Sequence, residues 1–463
     1  MVITRFAPSP TGDPHIGNIR TALFAYLFAK NQKGKFLLRI EDTDRKRHDQ
    51  AAVKSIKDAL KWLQIVPDNI DNPKVQSEHL EEYKKVALKL VAESKAYVCI
   101  CTQKQLKTSR EKAKKEGKPP MYDKNCREKA LKYKEDKSVI RMKVPENEKV
   151  KFIDAVRGKV EFDSNTVDDQ VILKSDGYPT YHLAHVIDDH EMQVTHVIRS
   201  EEWLSSTPKH ILLHQMLNFK IPQYAHLPII LGPNKNKLSK RDGAVGILEY
   251  RKLGYLPEAL INFMAFLGWN PKDEREFFAL ANLEKEFDIK NVNKAGAIFD
   301  IEKLNFINRH YLQEKKVSEI KNLIDPKILS KFSDYDVDKA IALSQDRMDK
   351  ISDFEQTLSF LLKAEPTRSN LIFKKSNREN TIKGLDAGRK ELEELEIFSA
   401  QNIKSALEKS VEKANLSNGD VFWPVRVALS GLEKSPPPEQ IAEALGKEEV
   451  AARINNALRI LKD

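Results

Sequence analysis

The sequence predicts an α/β fold in which an open sheet is interrupted by a β-rich insertion and followed by an all-helical C-terminal third. Three observations predict it. A strand–loop–helix unit opens the chain between Val2 and Lys30. Short runs with the period of a strand occupy Val139 to Leu173, between two stretches of mixed strand and helix. Beyond Val245 nearly every apolar run has helical spacing.

In the opening unit, Val2 to Ala7 is a short apolar run that reads as a strand, and Pro8, Pro10, Gly12 and Pro14 make a tight loop. Ile16, Ile19, Leu23 and Leu27, with Tyr26 alongside, then fall on one helical face. His15 and Gly17 stand at the helix start. Unpaired N–H groups and a partial positive charge there suit a phosphate. Gly17 lets a flat or bulky group approach the backbone, and His15 can donate to a phosphate oxygen. A histidine that merely caps a helix would look the same, so the residues around it decide.

Gly34 to Ile40 reads as a second strand, ending in Glu41-Asp-Thr-Asp44 with Arg45 and Arg47 close behind. Strand ends of open α/β sheets hold ligands, although Asp and Thr also cap a following helix. That helix carries Val53, Ile56, Leu60 and Leu63 on one face and is broken by Pro67 and Pro73. The next carries Leu80, Tyr83, Ala87 and Leu90 and ends near Lys95.

All three cysteines of the chain, Cys99, Cys101 and Cys126, lie in one short window, with Tyr122 four residues before the last. Cys99 and Cys101 are too close in sequence for an unstrained disulfide. Both can reach one metal ion, and three thiols with a Tyr or Glu as fourth ligand would suit tetrahedral zinc. An odd cysteine count also argues against a secreted disulfide scaffold. No apolar run is long enough to span a membrane, and the N-terminus enters a strand directly, so a cytoplasmic protein is expected. The length, 463 residues, predicts about two to four domains. Net charge is +10, and it is concentrated: from Lys104 to Lys151 there are 17 Lys and Arg against 8 Asp and Glu. Such a block is either a solvated helical face or the footprint of a nucleic-acid backbone.

Val139–Val144, Lys151–Phe162 with a turn at Arg157-Gly158, and a run from Val171 read as the strands of the insertion. A second α/β half starts at Gly177-Tyr-Pro-Thr-Tyr181. Val194–Arg199 reads as a buried strand, Thr207 as an N-cap before Pro208, the chain to Phe219 as helix, and Ala225–Leu231 as a last strand. A polar loop follows, Gly232-Pro-Asn-Lys-Asn-Lys237-Leu-Ser-Lys240-Arg-Asp-Gly, whose lysines could close over a triphosphate. Pro257 to Trp269 is a helix with a Gly-Trp stop, and helices recur from Asp325 to the end.

Pro8-Ser-Pro-Thr-Gly12 with His15-Ile-Gly17, and Lys237-Leu-Ser-Lys-Arg241, resemble the two ATP-binding motifs of class I aminoacyl-tRNA synthetases. The wording of the first resembles the bacterial-type glutamyl-tRNA synthetase family. That resemblance runs along essentially the whole chain. It implies a class I Rossmann-type catalytic domain with an inserted α+β acceptor-stem domain, followed by all-α C-terminal domains. The implied segments are 1–72 and 181–235 for the two Rossmann halves and 73–180 for the insertion. Residues 236–322 form a stem-contact helical domain with the Lys-Leu-Ser-Lys-Arg loop, and 323–463 an anticodon-binding region, which Phe422–Gly431 and the helix after Pro436-Pro-Pro438 resemble. It assigns His15, Lys237 and Lys240 to catalysis, and Pro8, His15, Gly17, Asn18, Lys237, Ser239, Lys240 and Arg241 to ATP. Arg5, Ser9, Glu41, Tyr181 and Arg199 fall to glutamate. Ser200 stands where the family usually has glycine, which puts the local backbone shape in question. Some members carry a zinc knot matching Cys99, Cys101, Tyr122 and Cys126, with Glu128 the other candidate for fourth ligand.

The implied reaction joins L-glutamate to tRNA(Glu), and in some members tRNA(Gln), through a glutamyl-adenylate, with ATP and Mg²⁺; a monomer is expected. Competing readings are glutaminyl-tRNA synthetase, a catalytically idle RNA-binding protein on the same fold, a shortened tRNA-modifying paralogue and a nucleotidyltransferase for a small metabolite. The Pro-Ser-Pro-Thr-Gly wording, the intact motif residues and the long helical remainder count against them.

Overall fold

The computed structural model describes residues 1–44, 49–238 and 245–463. Twelve strands are described: β1 Ile3–Phe6, β2 Lys35–Ile40, β3 Lys74–Val75, β4 Ala96–Cys99, β5 Val139–Met142, β6 Lys149–Asp154, β7 Gly158–Asp163, β8 Val171–Leu173, β9 His196–Ser200, β10 Gln223–Leu227, β11 Ile230–Leu231 and β12 Ala297–Ile298. The helices that matter for the site are α1 Ile16–Asn31, α2 Gln50–Trp62, α3 Leu80–Ala92, α4 Gln103–Lys115, α5 Tyr181–Glu191 and α6 Thr207–Leu217.

β1, β2 and β3 pair in parallel in that order, and a second sheet runs β7-β6-β10-β9. The two sheets meet where the Thr195 N–H donates to the Ile3 carbonyl at 2.9 Å. The strand order through the junction is therefore 3-2-1-9-10, with β1 as the point where the order reverses. In an open α/β sheet that point is where ligands bind, beyond the strand ends. α1 follows β1 and is nearly buried throughout, with Ile16, Ile19, Leu23, Phe24 and Leu27 all fully inaccessible.

β4, β5 and β8 form a separate antiparallel sheet. Ile140, Met142, Ile172 and Leu173 from it share one core with Tyr83 and Leu90 of α3, Leu183 and Ile187 of α5 and Ile211 and Leu213 of α6. The β6–β7 hairpin, which periodicity groups with these strands, instead joins β10. The Asp154 carboxylate accepts the His226 N–H, and the Ala155 N–H donates to the Tyr224 carbonyl at 2.8 Å. α4 in the basic block buries no residue, as a solvated helix should.

Two expected boundaries shift. Ala225–Leu231 is not one strand: Pro228 has no N–H to continue a ladder, so β10 stops at Leu227 and β11 turns to pair with β12. Thr207 is the first helical residue rather than the N-cap, which is Ser206. Its hydroxyl is held instead by the Trp203 carbonyl at 3.1 Å and the Arg199 guanidinium at 2.9 Å.

Met1–Arg251 with Pro257–Leu304 makes one compact unit, and Lys252–Leu256 with Asn305–Asp463 makes another. The second is helical. Gly384, on the helix Arg378–Glu393, lies so near the Asp420 carbonyl that a Cβ there would stand 2.0 Å from it, so that helix and Asn418–Ser430 touch backbone to backbone. Buried Arg453 donates to the carbonyls of Phe360, Leu361 and Leu429, satisfying groups that helix ends leave open. No helix among the described residues is long and apolar enough to cross a membrane.

Candidate active site

A cleft of about 820 Å³ opens at the β1–β9 junction, beyond the strand ends, and is lined by the loop after β1, the start of α1, Glu41, Tyr181, Arg199 and Lys237. Its upper wall is His15. The imidazole caps α1: Nδ1 accepts the N–H groups of Gly17 (3.1 Å) and Asn18 (3.4 Å), while the Asn18 side chain accepts the His15 N–H. The helix-start N–H groups expected to be unpaired are thus partly taken up by the histidine. Because Nδ1 accepts, the ring proton sits on Nε2, the nitrogen left to donate into the cleft. Burial and then Lys237 push the His15 pKa below its ordinary value, so the ring stays neutral. A Cβ on Gly17 would stand 3.0 Å from His15 Cε1, so a side chain there would crowd the capping ring.

The floor is a buried array of arginines, acids and histidines. Arg39 is fully buried and meets three carboxylates: Asp189 at 2.6 Å, Glu41 at 3.0 Å and Asp188 at 3.5 Å. Arg5 pairs with Asp189 at 3.2 Å. Burial raises and the two arginines more than offset the Asp189 pKa, which ends below the usual range. Both Arg39 contacts to Glu41 fall on Oε1. Burial first, opposed by Arg39 and Arg5, leaves the Glu41 pKa raised.

Arg199 is different. It is 5% exposed and has no carboxylate partner among the described residues. Nε donates to His226 Nε2 (3.1 Å), and Nη2 to Thr207 Oγ1 (2.9 Å) with His210 Nδ1 at 3.2 Å. Nη1 has only long contacts, 3.4 Å to the Tyr181 hydroxyl and 3.5 Å to His185 Nε2. Burial, then the neighbouring cations, hold His185 and His210 well below the ordinary histidine pKa. Every acceptor around Arg199 is therefore neutral, and the group retains a full positive charge at the cleft floor. Tyr181 stacks on His185 (5.2 Å between centroids, 10°) and packs on Trp203. A buried charge without a counter-ion is costly, so an anionic group would be favoured beside it.

The structure brings Arg5, Pro8, Ser9, His15, Gly17, Asn18, Glu41, Tyr181, Arg199 and Lys237 to the one cleft. Lys237 pairs with Glu202 at 2.6 Å. Ser239, Lys240 and Arg241 lie outside the described residues. Ser200 has φ −61°, ordinary for a residue with a side chain, so glycine is not needed there. Sequence reasoning missed Asp189, His185, His210, His226 and Asp154, because no local pattern separates them from core residues. The strongest hint was compositional, the run of histidines from His182 to His226.

Away from the cleft, the Sγ atoms of Cys99, Cys101 and Cys126 lie within 4.8 Å of one another. The Tyr122 hydroxyl is 3.3 Å from Cys99 Sγ and 3.4 Å from Cys101 Sγ. Tetrahedral zinc at its usual bond length separates sulfurs by roughly 3.8 Å, so the donor set fits that ion. Glu128 is 76% exposed at its side chain and pairs with Lys143 at 3.0 Å, away from the thiols.

The family described as "tRNA synthetases class I (E and Q), catalytic domain" matches residues 1–306, and an "Anticodon binding domain" matches 313–458. Glutamate–tRNA ligase 2 of Thermoanaerobacter pseudethanolicus is 41% identical over all of this chain and 98% of its own length. Glutamate–tRNA ligase of Dehalococcoides mccartyi is 42% identical, again over all of this chain and 98% of its own. Among solved structures, a glutamate tRNA ligase of Elizabethkingia meningosepticum in complex with its amino acid is similar at TM-score 0.89 and 35% identity, covering 99% of each chain. A glutamate-tRNA synthetase of Elizabethkingia anophelis is similar at TM-score 0.88. With a switch-point cleft, a histidine-capped helix start and relatives matched end to end, the chain belongs to the class I tRNA synthetases of the glutamate and glutamine group.

Proposed function

We propose that this chain activates L-glutamate with ATP and transfers it to the 3′ end of tRNA(Glu). The observation that carries the reading is Arg199, a buried cation held only by neutral acceptors at the floor of the cleft. It suits the side-chain carboxylate of glutamate, which a neutral glutamine would not replace. Arg5, whose charge Asp189 partly offsets, is the second arm. Glu41, with Oε2 not engaged by Arg39, takes the substrate ammonium, and Ser9 and Tyr181 hold the rest.

In the first step a glutamate α-carboxylate oxygen attacks the α-phosphorus of MgATP, and pyrophosphate leaves. Such transfer depends on positioning and charge neutralisation more than on acid–base groups. Mg²⁺, arriving with the nucleotide, offsets phosphate charge. His15 donates from Nε2 to a phosphate oxygen, Pro8, Gly17 and Asn18 shape the bed for ATP, and Lys237, Ser239, Lys240 and Arg241 close on it. In the second step the terminal adenosine 2′-hydroxyl attacks the adenylate carbonyl, forming the ester and releasing AMP. No side-chain nucleophile takes part.

The insertion, 73–180, takes the acceptor stem, 236–322 the stem beyond it and 323–463 the anticodon. A structural zinc would be held by Cys99, Cys101, Cys126 and Tyr122. The Arg141 guanidinium lies 3.9 Å over the Tyr122 ring. The protein works as a monomer in the cytoplasm.

The test is charging with labelled glutamate, using tRNA(Glu) and tRNA(Gln) side by side. Label on the first alone makes the enzyme discriminating, and label on both makes it non-discriminating. Binding of both without label would overturn the reading in favour of an idle RNA-binding protein.

A further inference from the structure

Arg199 is held from behind by a chain of buried groups, His226 and Asp154, that do not line the cleft. Its Nε–H donates to His226 Nε2 at 3.1 Å. That bond requires a lone pair on Nε2, so the His226 proton must sit on Nδ1. Nδ1 lies 2.6 Å from Asp154 Oδ2, in a pair with no solvent exposure at either side chain. Asp154 is itself pinned by the N–H groups of Val156 (2.9 Å) and Arg157 (2.8 Å) on Oδ1, and the His226 N–H reaches both carboxylate oxygens (3.2 and 3.1 Å). The Val156 and Arg157 donors belong to the turn of the β6–β7 hairpin, and the His226 N–H to β10. Burial foremost, and Arg199 behind it, outweigh the pull of Asp154 and keep the His226 pKa below its ordinary value, so the ring is neutral as the bond demands.

We propose that Asp154 and His226 are positioning residues for glutamate: Asp154 fixes the Nδ1–H tautomer of His226, and that tautomer aims the Arg199 guanidinium at the substrate carboxylate. Thr207 and His210 complete the anchorage on Nη2, leaving Nη1 as the nitrogen turned to the Tyr181 side of the cleft. The inference rests on the glutamate-activating reading of the same cleft.

The Asp154→Asn variant tests it with almost no change in shape. The two turn N–H groups on Oδ1 fix the amide oxygen there, so the amide NH₂ must occupy the Oδ2 place and donate to His226 Nδ1. The ring proton then moves to Nε2, opposite the Arg199 Nε–H. Thr207 Oγ1, 3.1 Å from His226 Nε2, can accept it, so the other tautomer is tolerated with the ring in place while Arg199 loses its anchor.

The experiment is ATP–pyrophosphate exchange with tRNA(Glu) present, on the full chain, with glutamate and ATP titrated separately. For Asp154→Asn the KM for glutamate is expected to rise about 10- to 100-fold, the effect of losing one hydrogen bond to a charged group, with the KM for ATP unchanged. A glutamate KM equal to wild type, or equal losses for both substrates, would overturn the proposal. Nitrogen-15 NMR of histidine-labelled wild-type protein, with His226→Gln to assign the signal, reads the tautomer directly and does not depend on the variant's folding. An Nε2–H or doubly protonated His226 would also overturn it. If the wild-type protein activates no glutamate at all, the parent reading fails instead, while the NMR result still decides whether the relay exists.

Discussion

Replacing Arg199 with lysine keeps the charge and removes the fork, and the structure sets the size of the effect. Five acceptors surround the guanidinium: His226, Tyr181, His185, Thr207 and His210. An ammonium has three N–H groups in a compact head, so it cannot both stay anchored to His226 and Thr207 and reach toward Tyr181. If it stays anchored, the substrate carboxylate loses at least one charge-assisted hydrogen bond, about 1.5–3 kcal/mol, or roughly 10- to 150-fold in affinity. If it reaches forward, the buried acceptors behind it lose a donor, at about 1–3 kcal/mol each in stability. Arg199→Lys is therefore expected to raise the glutamate KM at least about tenfold in pyrophosphate exchange, or to lower the melting temperature, while the ATP KM holds. Wild-type glutamate KM together with wild-type melting would refute the assignment of Arg199 as the anion receptor.

Gly17→Ala should push the His15 ring off its cap, since the new Cβ meets Cε1 at 3.0 Å; a lost cap of about 1 kcal/mol corresponds to roughly a fivefold rise in ATP KM, and an unchanged value would show the ring has room. Metal analysis of purified protein is expected to find zinc near one per chain, reduced by Cys126→Ser; zinc at wild-type level in that variant would remove Cys126 from the donor set. His214 is buried, and neither ring nitrogen has a hydrogen-bond partner among the described residues. Burial first, with His190 adding and Asp189 opposing, brings its pKa down to about 4 from 6.5. The unfolded ring binds a proton below that ordinary value and the folded ring does not, so stability is complete above pH 6.5. It falls between there and pH 4 by about 3 kcal/mol. Denaturation of His214→Leu is expected to lose that part of the pH slope, and a slope equal to wild type would refute the assignment.

Much of the site could be read from local patterns. His15 and Gly17 are placed by a helix start that apolar spacing locates to the residue, and Glu41 by the end of a strand that is plain in Lys35–Ile40. Arg199 and Tyr181 came from motif resemblance. The two boundary errors have single causes: Pro228 interrupts a ladder that its apolar neighbours would continue, and Thr207 spends its hydroxyl on Arg199 instead of a cap. The orphaned role of Gly17 was half legible. A bare backbone at Gly17 is expected to admit a bulky group, and the group nearest the missing side chain in the structure is the protein's own imidazole.

The course of most helices and strands and the grouping of the three cysteines in one window are legible in the order of residues, because helix and strand periods act over a few residues. For these the amino-acid order was enough. The charge state of the cleft was not. Arg39 meets Asp189 across 150 positions and Arg5 meets it across 184, while Asp154 reaches His226 across 72. Each of these groups alone is a charged or titratable side chain with no reason to be buried. Only when β1, β2, α5, β9, β10 and the β6–β7 hairpin pack together does desolvation force some into pairs, hold the histidines neutral and leave Arg199, unlike Arg5 and Arg39, without a carboxylate beside it among the described residues. Burial is a collective property of the packed elements, and the charge state of the cleft follows from burial.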